Sequence, residues 1–300
     1  ADYLGMPEAN GLKEIGIQVT DWEKALEIIT KDRENKKKDK KAYVKELLYH
    51  PIDPEELYIS MKINPFPVEE AKMHLKKIRD NEQNGKKVEI YREGIDIKYS
   101  LSNRPLPDFP FKKGGFHDSP VVLFEDIPTA KPNRFLYVAA LDDYKQEQAD
   151  SDSLGCFYIY KRQSGNDPMG DRIVAAYTSR PNPHNKFHRI GYMLLEAFNA
   201  ECLMENEDME FKTYLDSLHK TEEYLVSSFN MEGDITIKSN NRRSYGISPN
   251  GNKSAILNKV INYCNKPVDI PQQDGSVKSC LGIELIDDEM LLEELISYKD

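Results

Sequence analysis

No stretch of the sequence approaches the roughly 20 consecutive apolar residues that span a bilayer, and the N-terminus lacks the basic-then-apolar pattern of a secretory signal. A soluble protein in a cytoplasmic setting is therefore expected. Cysteine is sparse. Its four positions, Cys156, Cys202, Cys264 and Cys280, include no C-x-x-C pair, and the first two lie in apolar runs where a thiol behaves as a small hydrophobe. Reduced, structural thiols are the expectation. A basic surplus is also missing. With 51 acidic against 41 basic residues the formal charge is -10, which argues against polyanion binding over the whole surface and confines any nucleic-acid contact to a local basic groove. A true P-loop is absent too. Gly246 to Ser254 comes near one, but Asn252 displaces Lys253 by one position and no buried strand clearly precedes it, so no ATP hydrolysis is expected.

The chain's 300 residues are enough for one large or two modest domains with a core. It begins with Ala1, which fits a processed chain or a piece of a longer one. Trp22 to Ile29 has helical spacing of apolar residues, and the mixed-sign run Lys31 to Lys41 reads as a solvated face or segment. Prolines punctuate Pro51 to Pro67, and a helix is predicted from about Val68 to Arg79. Lys87 to Tyr91 and Ile95 to Tyr99 look like paired strands, and Val121 to Phe124 like another. Ile127 to Asn133 reads as a boundary.

The organising stretch is Phe135 to Asp142, an apolar run closed by a carboxylate. Without strict polar alternation it predicts a strand covered on both faces. Cys156 to Lys161 and Arg172 to Thr178 continue it as a three-strand meander. His184 to Phe198 has the apolar periodicity of a helix covering a sheet. Ala200 to Glu205 repeats the first pattern, a short apolar strand ending in an acid. A right-handed crossover through the intervening helix would place this strand parallel to the first, making Asp142 and Glu205 neighbours. A helix near Glu210 to His219, strand fragments at Leu225 to Ser227 and Ile235 to Lys238, a helix from about Ser254 to Cys264 and a last helix ending at Tyr298 follow.

This order, with acids on the first strand, the fourth strand and the last helix, resembles the ribonuclease H-like fold. More specifically, Leu141-Asp-Asp-Tyr144, Ser151-Asp-Ser-Leu-Gly155, Tyr158-Ile-Tyr-Lys-Arg162, Glu201-Cys-Leu-Met-Glu-Asn206, Tyr245-Gly-Ile247 and Ile286 to Ile296 resemble the nuclease domain of tailed-bacteriophage terminase large subunits. Pro51 to Phe66, with Pro54-Glu-Glu-Leu-Tyr58, is similar to the segment that joins that family's ATPase motor to its nuclease. The resemblance implies a mixed five-stranded sheet flanked by helices over residues 129–300. Residues 1–128 would be a helical and β-hairpin connector to an ATPase domain of the same longer polypeptide. It further implies a metal-dependent endonuclease that cuts concatemeric viral double-stranded DNA in the infected bacterial cytoplasm, with the terminase small subunit and portal protein as partners and no membrane. Another ribonuclease H-like nuclease, such as a resolvase or recombinase, and a non-catalytic protein-binding module of the same fold stay open.

Phosphodiester cleavage needs stabilised charge on the attacking and leaving oxygens, which two divalent ions can supply, and hard Mg2+ or Mn2+ ions take carboxylate oxygens. Asp142 would bridge both ions, with Glu205 and Asp288 holding one each. On the last helix Leu291, Leu292, Leu295 and Ile296 form one apolar face. Asp288 falls near its centre and Asp287 about a quarter turn away, so Asp287 is the expected helix N-cap. Asp152 reads first as a turn residue. His184 and His188 lie one helical turn apart but show no further ligand nearby, so surface or packing roles are expected. Arg162, Arg180, Arg242 and Arg243, with Lys161 and Arg189, flank the acids in sequence and are the candidates for a phosphate-binding groove.

Overall fold

A computed structural model describes residues 22–37, 39, 42–43, 46–47, 50, 52, 64–81, 84–109, 117–144, 154–164, 170–206, 209–228, 244–248, 252–271 and 276–298. The chain divides into two compact units, one of Ala1–Pro65 with Tyr298–Asp300 and one of Phe66–Ser297. In the first, helix α1 (Trp22–Lys36) extends one to two turns past the periodicity that predicts it, into the charged run. Buried Arg33 donates to the carbonyl of His50 at 2.8 Å, and Lys36 pairs with Glu46 at 2.5 Å. Those contacts account for the extension.

The second unit is built on a mixed sheet of seven strands. Its strands are β1 (Lys86–Glu93), β2 (Asp96–Leu101), β3 (Val121–Leu123), β4 (Tyr137–Asp142), β5 (Gly155–Lys161), β6 (Arg172–Ser179) and β7 (Glu201–Met204), in the order β2-β1-β3-β6-β5-β4-β7. All neighbours are antiparallel except β4 and β7, which run parallel. The sequence predicts five strands and assigns the first three here to a connector. Instead β3 pairs with β6 through Val122 and Ala176, and the β1–β2 hairpin continues from it. The reason is an edge: without β3, β6 would present a row of unpaired backbone groups. The expected separation at residue 128 therefore falls inside one compact unit.

Helix α3 (Asn185–Phe198) packs across one face with Phe187, Ile190, Leu194, Leu195 and Phe198 buried, the spacing of a single helical stripe. Beneath it lie Tyr137, Ala139 and Leu141 of β4, Phe157 and Ile159 of β5 and Tyr177 of β6, and α4 (Glu210–Ser217) adds Phe211 and Leu215. Each such full burial of a large aliphatic or phenylalanine side chain contributes about 1.5–3 kcal/mol. Under α3 the packing leaves no room for a side chain at Gly155, since a Cβ there would sit 2.7 Å from the rings of both Tyr144 and Phe187. The short helix α5 (Thr221–Tyr224) follows α4.

The other face is less evenly covered. Helix α2 (Val68–Asp80) packs against α7 (Glu289–Ser297), with Arg79 bonded to Glu289 at 3.1 Å. Along β4, Tyr137, Ala139 and Leu141 are buried whereas Ala140 and Asp142 are exposed. The prediction that both faces of β4 are covered is thus corrected. The alanines hide the alternation in the sequence, because a small apolar side chain tolerates solvent at little cost.

Beyond β7 the edge is closed by short bridges rather than a continuous strand. Leu225 bridges to Cys202 and Ile247 to Glu205, both parallel, and Ser227 meets Tyr245. Gly246 lies between them at φ 78°, where a Cβ would be 2.5 Å from the carbonyl oxygen of Met204, so both the turn and the close approach require glycine. The predicted fragment at Ile235 to Lys238 lies outside the described residues. Helix α6 (Lys253–Asn265) leads to a hairpin of β8 (Pro267–Pro271) and β9 (Val277–Leu281) that the sequence does not predict, and a 3-10 turn (Gly282–Leu285) precedes α7. No helix among the described residues is long and apolar enough to cross a membrane.

Candidate functional site

Successive residues of a strand point to opposite faces. Asp142 ends β4 on the open face, opposite Leu141, which is in the core. β7 runs alongside with Met204 opposite Leu141, and the Glu205 N–H donates to the carbonyl of Leu141 at 3.2 Å. Cys202 and Met204 are buried, so Glu205 falls on the same face as Asp142. The Glu205 carboxyl is close enough to that of Asp142 to act on its ionisation. Asp142 reaches solvent, yet burial of its inner side pushes its carboxyl above the ordinary aspartate range, the contact with Glu205 opposes this, and the charge of Asp143 adds to it. Two neighbouring carboxyls share a proton or accept a cation; two bare charges there would repel.

Helix α7 brings further acids to this face. Asp288 is buried, and burial pushes its carboxyl up to about 6 even though it accepts hydrogen bonds from the backbone N–H groups of Leu291, at 3.0 Å, and Met290. Part of Glu294 faces solvent, but its carboxyl is also raised, by burial and then by the charges of Asp288 and Asp142. Burial pushes the Cys156 thiol of β5 up to about 12 against an opposing hydrogen bond with Thr178, and the charges of Glu294, Asp142 and Asp288 add to the rise. Asp142, Glu205 and Asp288 nevertheless do not form a closed triad. Among the described residues the group of three potential ligands whose donor atoms all lie within 4.8 Å of one another is a different one.

Asp287 is not the N-cap. The helix starts at Glu289, and the cap is Asp288, whose Oδ1 accepts the Leu291 N–H while its carbonyl accepts the Leu292 N–H. Asp287 instead turns towards α2, with its carboxylate 3.4 Å from Nε2 of His74 and its carbonyl accepting the Asn84 side-chain amide at 3.0 Å. The helix begins one residue later than expected, which moves the capping role along by one.

The different group is on the α3 side. Asp143, one residue past Asp142, points to the opposite face, where its side chain is only 3% exposed. Nε2 of His184 lies 2.9 Å from Oδ1, and Nε2 of His188 lies 2.6 Å from Oδ2. Nδ1 of His184 lies 2.7 Å from Oε2 of Glu210 at the start of α4. Both imidazoles are buried, so the expected surface or packing role is corrected to a bonded one. Burial acts to raise the Asp143 carboxyl, but its hydrogen-bond contacts with His184 and His188 outweigh it and hold it below the ordinary range. For His184 burial acts against the charged ring, and Asp143 and then Glu210 reverse it, so the ring is shifted upward. The i, i+4 spacing of the histidines was a visible signal. Asp143 and Glu210 were not, because they come from elements far away in sequence.

The basic candidates fare differently. Arg162 is exposed but follows the end of β5 that pairs with Tyr137, so about 17 Å of strand separates it from Asp142. Arg180 is buried with its guanidinium 5.6 Å from the ring centre of Tyr144, and Lys161 is bonded to Glu125 at 2.8 Å. None of these three forms an exposed rim beside the acids. Arg242, Arg243 and Asp152 lie outside the described residues, as do parts of the near P-loop, of which Asn252 caps and Lys253 opens α6. All four cysteines are free, and burial is the leading cause that raises each thiol. No protein-family model, curated protein or solved structure matches the chain.

Proposed function

We propose that the chain is a metal-dependent endonuclease of the terminase large subunit type, cutting concatemeric viral double-stranded DNA during genome packaging in the infected cell. The observation that carries this reading is the contact between the Asp142 and Glu205 carboxyls at the ends of two parallel strands on the open face of the sheet. The strand order supports it. A three-strand antiparallel meander, a fourth strand parallel to the first and bridged segments beyond it are what a ribonuclease H-like sheet would present, with β3, β1 and β2 as an extension under this reading.

The donor set fits hard divalent ions: it is all oxygen, and Asp142, Asp288 and Glu294 all have carboxyls raised by burial or by one another's charge, so a cation would relieve each of them. Two Mg2+ or Mn2+ ions, when bound, would stabilise charge on the attacking and leaving oxygens of a phosphodiester. Asp142 would sit centrally, Glu205 would hold one side from the parallel strand, and Asp288 or its neighbour Glu294 the other from α7. The hydrogen bonds from Leu291 and Met290 fix the orientation of Asp288, and the bridge to Ile247 fixes the backbone of Glu205. An ATPase domain of the same polypeptide, the small subunit and the portal would be its partners.

The test is plasmid cleavage by the full chain. Mn2+ or Mg2+ should support cutting and EDTA should stop it, and Asp142→Asn should reduce it to the metal-free background with unchanged circular dichroism. No cutting with either ion defeats the nuclease reading. Full metal-dependent cutting by Asp142→Asn removes that residue from the chemistry. An ATPase encoded upstream in the same reading frame separates a terminase from a resolvase or recombinase.

A further inference from the structure

The Asp143 cluster is built like a site for a softer ion than the acid edge. We propose that Asp143, His184 and His188 bind one Zn2+ ion, with Glu210 orienting His184 from behind. The inference does not depend on the nuclease reading, because it uses the other face of the sheet and none of that reading's ligands.

Three observations carry it. The first is convergence, since two Nε2 atoms on one helical face meet the two oxygens of a single buried carboxylate, within 4.8 Å overall. All three ligands sit on or beside regular elements, the end of β4 and the first turn of α3, so their positions are held by the packed core.

The second is the tautomer of His184. A neutral ring that donates its Nδ1–H to Glu210 presents an unprotonated Nε2 to Oδ1 of Asp143 at 2.9 Å, acceptor against acceptor. The other neutral tautomer moves the same deficit to the Glu210 contact, so either a second proton or a metal ion completes the arrangement. A carboxylate behind the far nitrogen is the usual support of a metal-bound imidazole, fixing its tautomer and raising its basicity.

The third is charge and room. Two neutral imidazoles with the Asp143 and Glu210 carboxylates sum to two negative charges, which a divalent ion balances. Metal–ligand bonds of about 2.0–2.2 Å place the donors of a tetrahedral ion about 3.3 Å apart, so the two His–Asp143 separations, 2.9 and 2.6 Å, would open by less than an ångström. A surface pocket lined by Pro183, His184, Asn185, His188, Glu210 and Tyr214 lies on the outer side, giving an entry path and leaving the fourth position to solvent. Two nitrogen donors and one oxygen favour Zn2+ over Mg2+ or Ca2+, which take oxygen.

The experiment is metal analysis of the full chain purified with Zn2+ and dialysed into metal-free buffer. One Zn2+ per chain is expected, falling to background in His184→Ala and in His188→Ala and retained in Asp142→Asn. Glu210→Gln should weaken affinity by about 10–100-fold, measured against a chromophoric chelator. Substitution with Co2+ should give the visible absorption of a four-coordinate ion. If the alanine variants fail to fold, the wild-type chain decides the matter: chelator-treated protein should gain thermal stability on Zn2+ addition and lose it on re-chelation. No stoichiometric Zn2+, iron in its place, metal content unchanged in both histidine variants, or a melting temperature indifferent to Zn2+ would each overturn the assignment and leave a protonated His–Asp network.

Discussion

On the open face of the sheet Asp142 lies beside other acids, while one residue along, on the α3 face, Asp143 meets two imidazoles. Burial pushes both carboxyls in the same direction, towards the neutral form. The partners decide the outcome. Asp142 stays raised, as do Asp288 and Glu294 near it, and Asp143 ends lowered beside a raised His184. The fold therefore holds two adjacent clusters of opposite electrostatic character, one deficient in positive charge and one able to supply its own with protons. The linkage signs differ accordingly. A lowered Asp143 contributes stability above the ordinary aspartate range that is lost as pH falls through its depressed value, and a raised His184 contributes stability that is present below the ordinary histidine range and lost as pH rises through its elevated value. The raised acids do the reverse of Asp143: whatever they add is present at low pH and lost as pH rises.

The comparison breaks most directly at Asp143. In chelator-treated protein Asp143→Asn removes the charge that both imidazoles face and should cost about 3–5 kcal/mol, the usual penalty for stripping one partner from a buried ionic network. The loss should be greatest between about pH 4 and 6.5, where carboxylate and imidazolium coexist, and shrink on either side. Urea denaturation across pH measures it. If Asp142→Asn proved as costly under the same conditions, the two faces would not differ as described.

Asp288→Asn should act with the opposite sign. It keeps a capping oxygen for the Leu291 N–H, since asparagine caps as well as aspartate, and removes a buried charge. Because the Asp288 carboxyl is raised to about 6, its ionisation costs folded stability progressively from about pH 4 up to that value. Without divalent ions the variant should match wild type near pH 4 and exceed it by up to about 3 kcal/mol at neutral pH. The same substitution is expected to impair metal-dependent cleavage. Equal stability at every pH would show that the buried carboxyl is already compensated and that the acid face is not short of positive charge.

Much of this arrangement was legible in the sequence where it rests on local periodicity. The stripe Phe187 to Phe198 predicts α3 to within a residue at its start, and the two apolar runs ending in acids predict the parallel pair β4 and β7. Contacts between distant elements were not legible. His184 and His188 could be seen as a pair, but their partners Asp143 and Glu210 lie 41 and 26 residues from His184. The β8–β9 hairpin carries Pro267 and Pro271 at the ends of one strand and mostly exposed residues in the other, so it has no alternation to detect. The sheet's extension through β3 rests on a three-residue strand, too short to declare its partner. Glu294 sits two turns beyond the acids that attract notice, and its proximity to Asp142 follows only from how α7 docks.

The smallest effect expected is at Asp287, and it tests where α7 begins. As an N-cap this residue would be worth about 0.5–2 kcal/mol. In the structure Asp288 does the capping, and Asp287 offers a half-buried carboxylate, with its side chain 31% exposed, to His74 Nε2 at 3.4 Å. Its other contact, from the Asn84 amide to the Asp287 carbonyl, is to the backbone and survives substitution. Asp287→Ala should therefore cost no more than a partly solvated pair, about 0–1 kcal/mol, and leave cleavage near wild type. Asp288→Ala is the internal control, because it removes the cap and the buried charge together, so its melting temperature relative to Asp288→Asn isolates the cap. A cost of about 2 kcal/mol for Asp287→Ala, with none between Asp288→Asn and Asp288→Ala, would place the first turn one residue earlier and return the capping role to Asp287.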